Sequence, residues 1–149
     1  MLFLSLKLLH IFFICLAVGA FLVQYVIVAR YMRSEDTALR RASESIALTS
    51  AQILEQPGLI IALLSGLALS FVNTGYWSAG GFLHAKTLFV VILLGLSHMA
   101  KARLKKIKTA AEQVDEVGVN THKKKVLLFY KIQLIVVLII MVLILFKPF

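Results

Sequence analysis

Apolar residues form four long runs along the chain, at about residues 2–29, 46–72, 82–100 and 126–146. A hydrocarbon layer about 30 Å thick is crossed by roughly 20 residues of helix, so each run is long enough to span a membrane. Backbone polar groups in lipid must be paired within the segment, which favours helices. The pattern predicts an all-α integral membrane protein in which a single domain, residues 1–149, forms a bundle of four transmembrane helices.

The two longer connections between the runs are polar and basic. Residues 30–44 carry four arginines against three acidic residues, and Ser34-Glu35-Asp36 has the composition of a helix start. Residues 101–125 carry eight lysines and arginines, and we expect them to form a basic amphipathic loop along the membrane surface. Its apolar residues at helical spacing are Leu104, Ile107, Ala111 and Val114.

The charge distribution predicts an orientation. Basic connections remain on the cytoplasmic side, and both fall on one side of a four-span topology. The N- and C-termini then lie outside, together with a short turn at residues 73–81 whose Tyr76 and Trp77 suit the headgroup region. The predicted location is the bacterial inner (cytoplasmic) membrane, with the lipid bilayer as the first partner.

Composition agrees with a membrane protein. Hydrophobic residues make up 60% of the chain, and mean hydropathy is +0.93, well above a soluble domain. The net charge of +9 resides in the connections, so we expect no nucleic-acid partner. Cys15 is the single cysteine, which excludes an intramolecular disulfide, and we expect it to serve packing. A cleaved signal peptide is the rival interpretation of the first run, but that run exceeds a signal's apolar region.

Polar residues inside the runs are the candidate functional groups, because ionisable side chains in a membrane are costly. The third run carries His84, Lys86 and His98, and its histidines are fourteen residues apart, within about 40° of one helical face. Measured from the basic borders, His10 and His84 lie at similar depths. A second level, nearer the basic connections and called the inner level here, contains His98 and Gln24. Glu55 either belongs to this level or lies at the membrane interface.

Two imidazoles facing each other across a bundle hold a b-type haem, so haem b is the predicted cofactor and His10, His84 and His98 are the candidate metal ligands. Lys86 is a candidate to pair with a propionate, to bind an acidic substrate group or to ligate the iron. The structural alternatives are a turn cap for His84, a lysine that extends to the interface, and a headgroup contact for His98. Copper at His98 and the adjacent Met99 is a further alternative.

These residues, taken with others along the chain, resemble those of a known family. The matching features are residues 7–11 (KLLHI), Pro57 with the Gly66 region, residues 81–86 (GFLHAK), His98 and residues 147–149 (KPF). In order and spacing they are similar to HemJ-type protoporphyrinogen IX oxidases, which are small four-helix membrane proteins, and more broadly to the CopD-like group.

The resemblance implies a b-haem in a helical bundle and the oxidation of protoporphyrinogen IX to protoporphyrin IX, with electrons passed to a quinone or the respiratory chain. It places the family's histidines and lysine on His10, His84, Lys86 and His98, with Lys86 as the catalytic candidate. Gln24 is a further candidate cofactor contact. The chain departs from the family pattern at residues 26–31, at Phe82 and at residues 130–133.

Three hypotheses remain open from the sequence. The first is an enzyme, a haem-dependent protoporphyrinogen oxidase. The second is a non-catalytic cytochrome b-like electron-transfer or accessory subunit, and the third is a haem-free, copper-handling CopD-like protein. Four helices expose much surface, so we expect a homo-oligomer or a subunit of a larger complex. The neighbourhoods of Gly66 and Gly95 are candidates for close helix contact, either between subunits or within one chain.

Overall fold

The computed structural model describes residues 1–30, 34–72 and 81–146, and nearly all of them are helical. The elements in order are α1 (Leu2–Arg30), α2 (Thr37–Ser50), a π-helical segment (Ala51–Glu55), α3 (Gln56–Val72), α4 (Phe82–Glu112) and α5 (Glu116–Phe146). The Tyr76-Trp77 turn, residue 31 and residues 147–149, which the sequence analysis singled out, lie outside the described residues.

The second long helix contains a change of helical pitch next to a proline. α2, the π segment and α3 run without a break from Thr37 to Val72. Pro57 has no backbone N–H, and in a regular α-helix its ring would clash with the carbonyl one turn earlier. Directly before it, the Gln56 N–H donates to the Ala51 carbonyl across a wider π turn. We attribute the π segment to this proline, which lies in the first turn of α3. It changes the helical pitch there without ending the helix.

The predicted helix start at residues 34–36 is confirmed. The Asp36 carboxylate accepts hydrogen bonds from the backbone N–H groups of Ala38 and Leu39, at 2.9 and 3.2 Å. The Ser34 hydroxyl accepts in turn from the Asp36 N–H at 3.2 Å. Asp36 therefore caps α2 and satisfies two amides that have no partner within the helix.

Contacts between distant residues show that successive long helices alternate in direction. His10 near the start of α1 contacts Ala62, whereas Gln24 near its end contacts Ser50, so α1 is antiparallel to the α2–α3 rod. Gln24 also contacts Tyr130 in the first half of α5. The most extensive packing joins α4 to α5 and α1 to α3. The described helices form a four-rod, up-down-up-down bundle.

The connection between α4 and α5 is a tight turn of three residues. Helix α4 continues through the basic region to Glu112, and α5 begins at Glu116. The helical spacing of Leu104 and Ile107 predicted a helix correctly. Both side chains are buried inside the bundle, however, and do not lie along a membrane surface. At the turn, Val114 has a positive φ of 59°. The region predicted as a loop over residues 101–125 is thus mostly an extension of two helices.

Apolar side chains cover both the inside and the outside of the bundle. Four helices are long and apolar enough to cross a membrane, which agrees with the predicted number of spans. Their outward faces expose large hydrophobic side chains such as Phe12, Leu64, Leu88 and Ile135. A water-soluble protein rarely exposes so much apolar surface, and the chain therefore has the character of a multi-pass membrane protein.

Candidate functional site

His10 lies on the face of α1 that packs against α3. Its Nδ1 is 2.7 Å from the Ala62 carbonyl oxygen and 3.1 Å from the Ser65 hydroxyl. A carbonyl only accepts, so Nδ1 carries the hydrogen, and in the neutral ring Nε2 keeps its lone pair. Histidines that ligate metals are typically oriented in this way, by a backbone carbonyl on the other nitrogen. The contact fixes His10 in a ligand-competent tautomer.

Gly66 provides the space that the His10 ring occupies. A Cβ atom built on Gly66 would lie 2.8 Å from Cε1 of His10 and 3.3 Å from its Nδ1, closer than side chains normally approach. The predicted close helix contact at Gly66 is therefore present. Gly95, the other predicted position, has no atom within 4 Å of such a Cβ, so it makes no close contact within the described part of the chain.

Lys86 lines the same cavity as His10. The cavity has a volume of about 130 Å³ and is walled mainly by apolar residues of α1, α3, α4 and α5. Two further polar residues face it, Ser70 and Thr87, and their hydroxyls donate to carbonyls of their own helices. His10 and Lys86 are close enough to interact electrostatically. They are the polar side chains of the cavity lining that are available to bind a ligand.

The other candidate histidines lie elsewhere. His84 and His98 are both exposed on α4, and neither lines the cavity. Met99 is also exposed. The structure thus brings His10 and Lys86 together and leaves His84 and His98 outside this group. Among the described residues, no cluster of three or more His, Cys, Asp or Glu side chains is arranged to hold a metal ion.

A second polar group lies deeper in the bundle, near the basic ends of the helices. Gln24 and Tyr130 are both almost fully buried, and the Tyr130 hydroxyl donates to Gln24 Oε1 at 2.7 Å. The Gln24 amide also donates to the Ser50 hydroxyl at 3.4 Å. Gln24, a candidate cofactor contact from the sequence, is therefore occupied with α2 and α5, and it does not line the His10 cavity.

Glu55 is the buried carboxyl group of this inner level, and only 1% of its surface is exposed. The Gln133 side-chain amide donates to Glu55 Oε1 at 3.0 Å. Three oxygens of this inner level have no hydrogen-bond partner: Glu55 Oε2, Gln133 Oε1 and the hydroxyl of the buried Ser97. Sequence reasoning suggested Glu55 but missed Ser97 and Gln133. Gln133 could have been selected because it is a polar residue within an apolar run. Ser97 gave little signal, because serine is small and only weakly polar.

An apolar layer separates the two levels. Ala17, Leu59, Leu93, Leu96 and Val136 form one buried cluster. Leu59 and Leu93 also line the cavity, and each lies one turn from a residue of the inner level on its own helix. The described bundle therefore contains two polar sites, stacked along its axis and divided by about one helical turn of hydrocarbon.

The donor chemistry at the cavity fits a haem iron. One imidazole is oriented as metal ligands are, a second nitrogen lies on another helix, and the walls are apolar. The cavity volume is that of a site for one aromatic ring. A whole tetrapyrrole is several times larger than one aromatic ring and exceeds this cavity as the described helices are packed.

Comparison with known proteins was made at the levels of family, sequence and structure. No family model matches the chain, no curated protein matches it, and no solved structure matches it. The resemblance to HemJ-type oxidases consequently rests on the sequence features described above. The function must be argued from the residues of the bundle itself.

Proposed function

We propose that the chain is a multi-pass protein of the bacterial inner membrane, with its basic connections in the cytoplasm and both termini outside. The basic residues support this orientation, because Arg30, Arg40 and Arg41 lie at the same end of the bundle as the basic residues around the α4–α5 turn. The exposed apolar faces support burial in lipid or against further subunits.

We propose further that the protein is a membrane b-haem protein that oxidises protoporphyrinogen IX to protoporphyrin IX and passes the electrons to a quinone. The observation that carries this proposal is the placement of His10 and Lys86 on one apolar cavity, with His10 Nδ1 held by the Ala62 carbonyl. Both positions are among the four that the family resemblance implies, which also include His84 and His98.

Each residue has a role that follows from its position. His10 Nε2 would hold the haem iron, and the hydrogen bonds from Nδ1 to α3 fix the direction of the ring. The Lys86 ammonium would pair with a propionate carboxylate of the porphyrinogen and so orient the substrate. The apolar walls exclude water and hold the macrocycle edge. When bound, the haem supplies a one-electron relay between the porphyrinogen and the quinone.

Absorption spectroscopy tests the proposal. Protein purified in mild detergent is loaded with haem, and oxidised and dithionite-reduced spectra are recorded. We expect a reduced b-type spectrum that is lost in His10→Ala, because the axial nitrogen is removed. His98→Ala is the matched control, since that side chain is exposed and away from the cavity, and it should retain the spectrum. A folded protein that takes up no haem would contradict the proposal.

A porphyrinogen oxidation assay then separates an enzyme from an electron carrier. With haem bound and a quinone supplied, the wild type should form protoporphyrin, detected by its fluorescence. Lys86→Met should bind haem but form protoporphyrin at least about tenfold more slowly, since a charge-assisted hydrogen bond to a propionate is worth roughly 1.5–3 kcal/mol. Haem binding without any turnover in the wild type would indicate the cytochrome b-like subunit.

A further inference from the structure

We propose that Glu55, Ser97 and Gln133 form a binding site for a small monovalent cation of the size of Na⁺. This site lies on the inner side of the apolar layer, and it is separate from the cavity of His10 and Lys86. The proposal goes beyond the oxidase function and does not depend on it.

The first argument is the set of unpaired oxygens. Glu55 Oε2, Ser97 Oγ and Gln133 Oε1 are buried, belong to three different helical rods and have no hydrogen-bond partner. A buried polar atom without a partner destabilises the folded state, unless a bound ligand satisfies it. Ser97 and Gln133 both approach the Glu55 carboxyl group, so the side chains that carry the three oxygens meet there. Carboxylate, amide and hydroxyl oxygens together are the ligands that hard cations prefer.

The second argument is charge. The side chains that approach the Glu55 carboxyl group in the described part of the chain are neutral: Gln133, Ser97, Gln24 and Tyr130. An ionised carboxylate buried without a counter-charge is strongly unfavourable. Lys101, one turn beyond Ser97, donates to Gln56 Oε1 at 2.6 Å. A single bound positive charge balances the single carboxylate, whereas a divalent ion would leave an excess.

The third argument is how the backbone places the carboxyl group. Glu55 is the last residue of the π segment, and the wider turn there changes which side chains of this rod face the bundle. The Gln133 amide nitrogen donates to Glu55 Oε1, which leaves the amide oxygen as a buried acceptor without a partner. The neighbouring pair Gln24 and Tyr130 is satisfied internally and supports the site from one side.

Carbodiimide labelling in detergent or nanodiscs provides the test. A hydrophobic carbodiimide modifies buried carboxyl groups in their protonated form, and peptide mass spectrometry locates the adduct. The wild-type protein is labelled in NaCl or in choline chloride at the same ionic strength and pH. We expect Na⁺ to slow the modification of Glu55 in a saturable way. We also expect Na⁺ to raise the melting temperature, because a ligand that binds only the folded state stabilises it.

Three variants make the result specific. Ser97→Ala removes one ligand oxygen and should weaken apparent Na⁺ affinity about tenfold. Glu55→Gln removes the charge and should abolish the effect of Na⁺ on melting. Glu44→Gln is the matched control, because Glu44 is also a buried acid of the same rod but lies outside the cluster, and its response to Na⁺ should equal that of the wild type.

Two results would overturn the proposal. The first is labelling of Glu55 that depends on pH but is identical in Na⁺ and choline, which would show a carboxyl group that binds only a proton. The second is a melting response to Na⁺ that persists unchanged in Ser97→Ala and Glu55→Gln. If Glu55→Gln does not fold, the Ser97→Ala affinity and the wild-type labelling decide the question alone.

Discussion

The His10 imidazole occupies space that a side chain at position 66 would fill, so its position depends on a glycine there. In Gly66→Ala the new methyl group would lie 2.8 Å from His10 Cε1, so the ring or α3 must shift. We expect a loss of about 1–3 kcal/mol in the free energy of unfolding, as for other overpacked sites, measured by thermal unfolding in detergent. Gly95→Ala is the control. It has open space and should be neutral or stabilising by up to about 1 kcal/mol.

Equal effects of the two glycine substitutions would contradict the close approach at Gly66. The same variant also bears on function, because a displaced ring loses its bond to the Ala62 carbonyl. Gly66→Ala should therefore weaken haem binding, whereas Gly95→Ala should leave it unchanged.

The buried pair of Tyr130 and Gln24 gives a second prediction. Tyr130→Phe removes the hydroxyl that donates to Gln24 Oε1 at 2.7 Å, and the amide oxygen would remain buried without a partner. We expect a destabilisation of roughly 1–3 kcal/mol, read from the unfolding midpoint. Tyr25→Phe is the comparison, since Tyr25 packs edge-on against Tyr130 and is only half-buried. A larger loss in Tyr25→Phe than in Tyr130→Phe would contradict this assignment.

Sequence reasoning selected candidate polar residues but not the direction in which each side chain points. His10, Lys86 and Glu55 stand out because they interrupt apolar runs, and all three face the bundle. His84 and His98 share one helical face, as their spacing predicts, but that face is exposed. A membrane helix is apolar on all sides, so hydrophobicity alone does not distinguish its inner face. Small residues such as Ser97 carry even less information.

At the scale of the element, the turn between α4 and α5 contains a strained residue. The Asp115 N–H donates to the Ala110 carbonyl and the Val114 N–H to the Ala111 carbonyl, at 2.9 and 3.3 Å, which is the pattern of a helix that ends on a left-handed residue. Glycine usually occupies that position, and here it is Val114, with φ of 59°. A β-branched side chain is unfavourable there by roughly 1–2 kcal/mol.

Val114→Gly should accordingly stabilise the protein by about 1 kcal/mol, because the relief of strain exceeds the added flexibility of the unfolded chain. The measurement is the shift in melting temperature. Val117→Gly is the matched control, since Val117 is equally exposed but lies in the first turn of α5, where glycine gives no such relief. A destabilised Val114→Gly would show that the turn adopts another conformation.

The four apolar runs predicted the number and the order of the long helices, since each run must pair its backbone groups internally. Their ends were predicted less well. α4 and α5 continue beyond the apolar runs into lysine-rich sequence, where good helix formers and packing of Leu104 and Ile107 maintain the helices. The π segment, which ends two residues before Pro57, was not foreseen.

For the whole molecule, the proposed orientation can be tested with single cysteines. In a Cys15→Ser background, Asn120→Cys lies near the α4–α5 turn and Leu2→Cys at the start of α1, and both native side chains are exposed. A membrane-impermeant maleimide should label Asn120→Cys only in inside-out vesicles and Leu2→Cys only in right-side-out vesicles. The reverse pattern, or labelling of both from one side, would contradict the proposed topology.

The apolar layer of Leu59, Leu93 and Val136 has a consequence for conductance. Protons travel along chains of hydrogen-bonding groups, and these three side chains offer neither donors nor acceptors. A proton released beside His10 therefore has no relay through this layer toward Glu55. In a membrane that carries a potential, protons would then not leak through the bundle by this route. Chemistry in the cavity of His10 and Lys86 would proceed without dissipating the proton gradient across the bilayer.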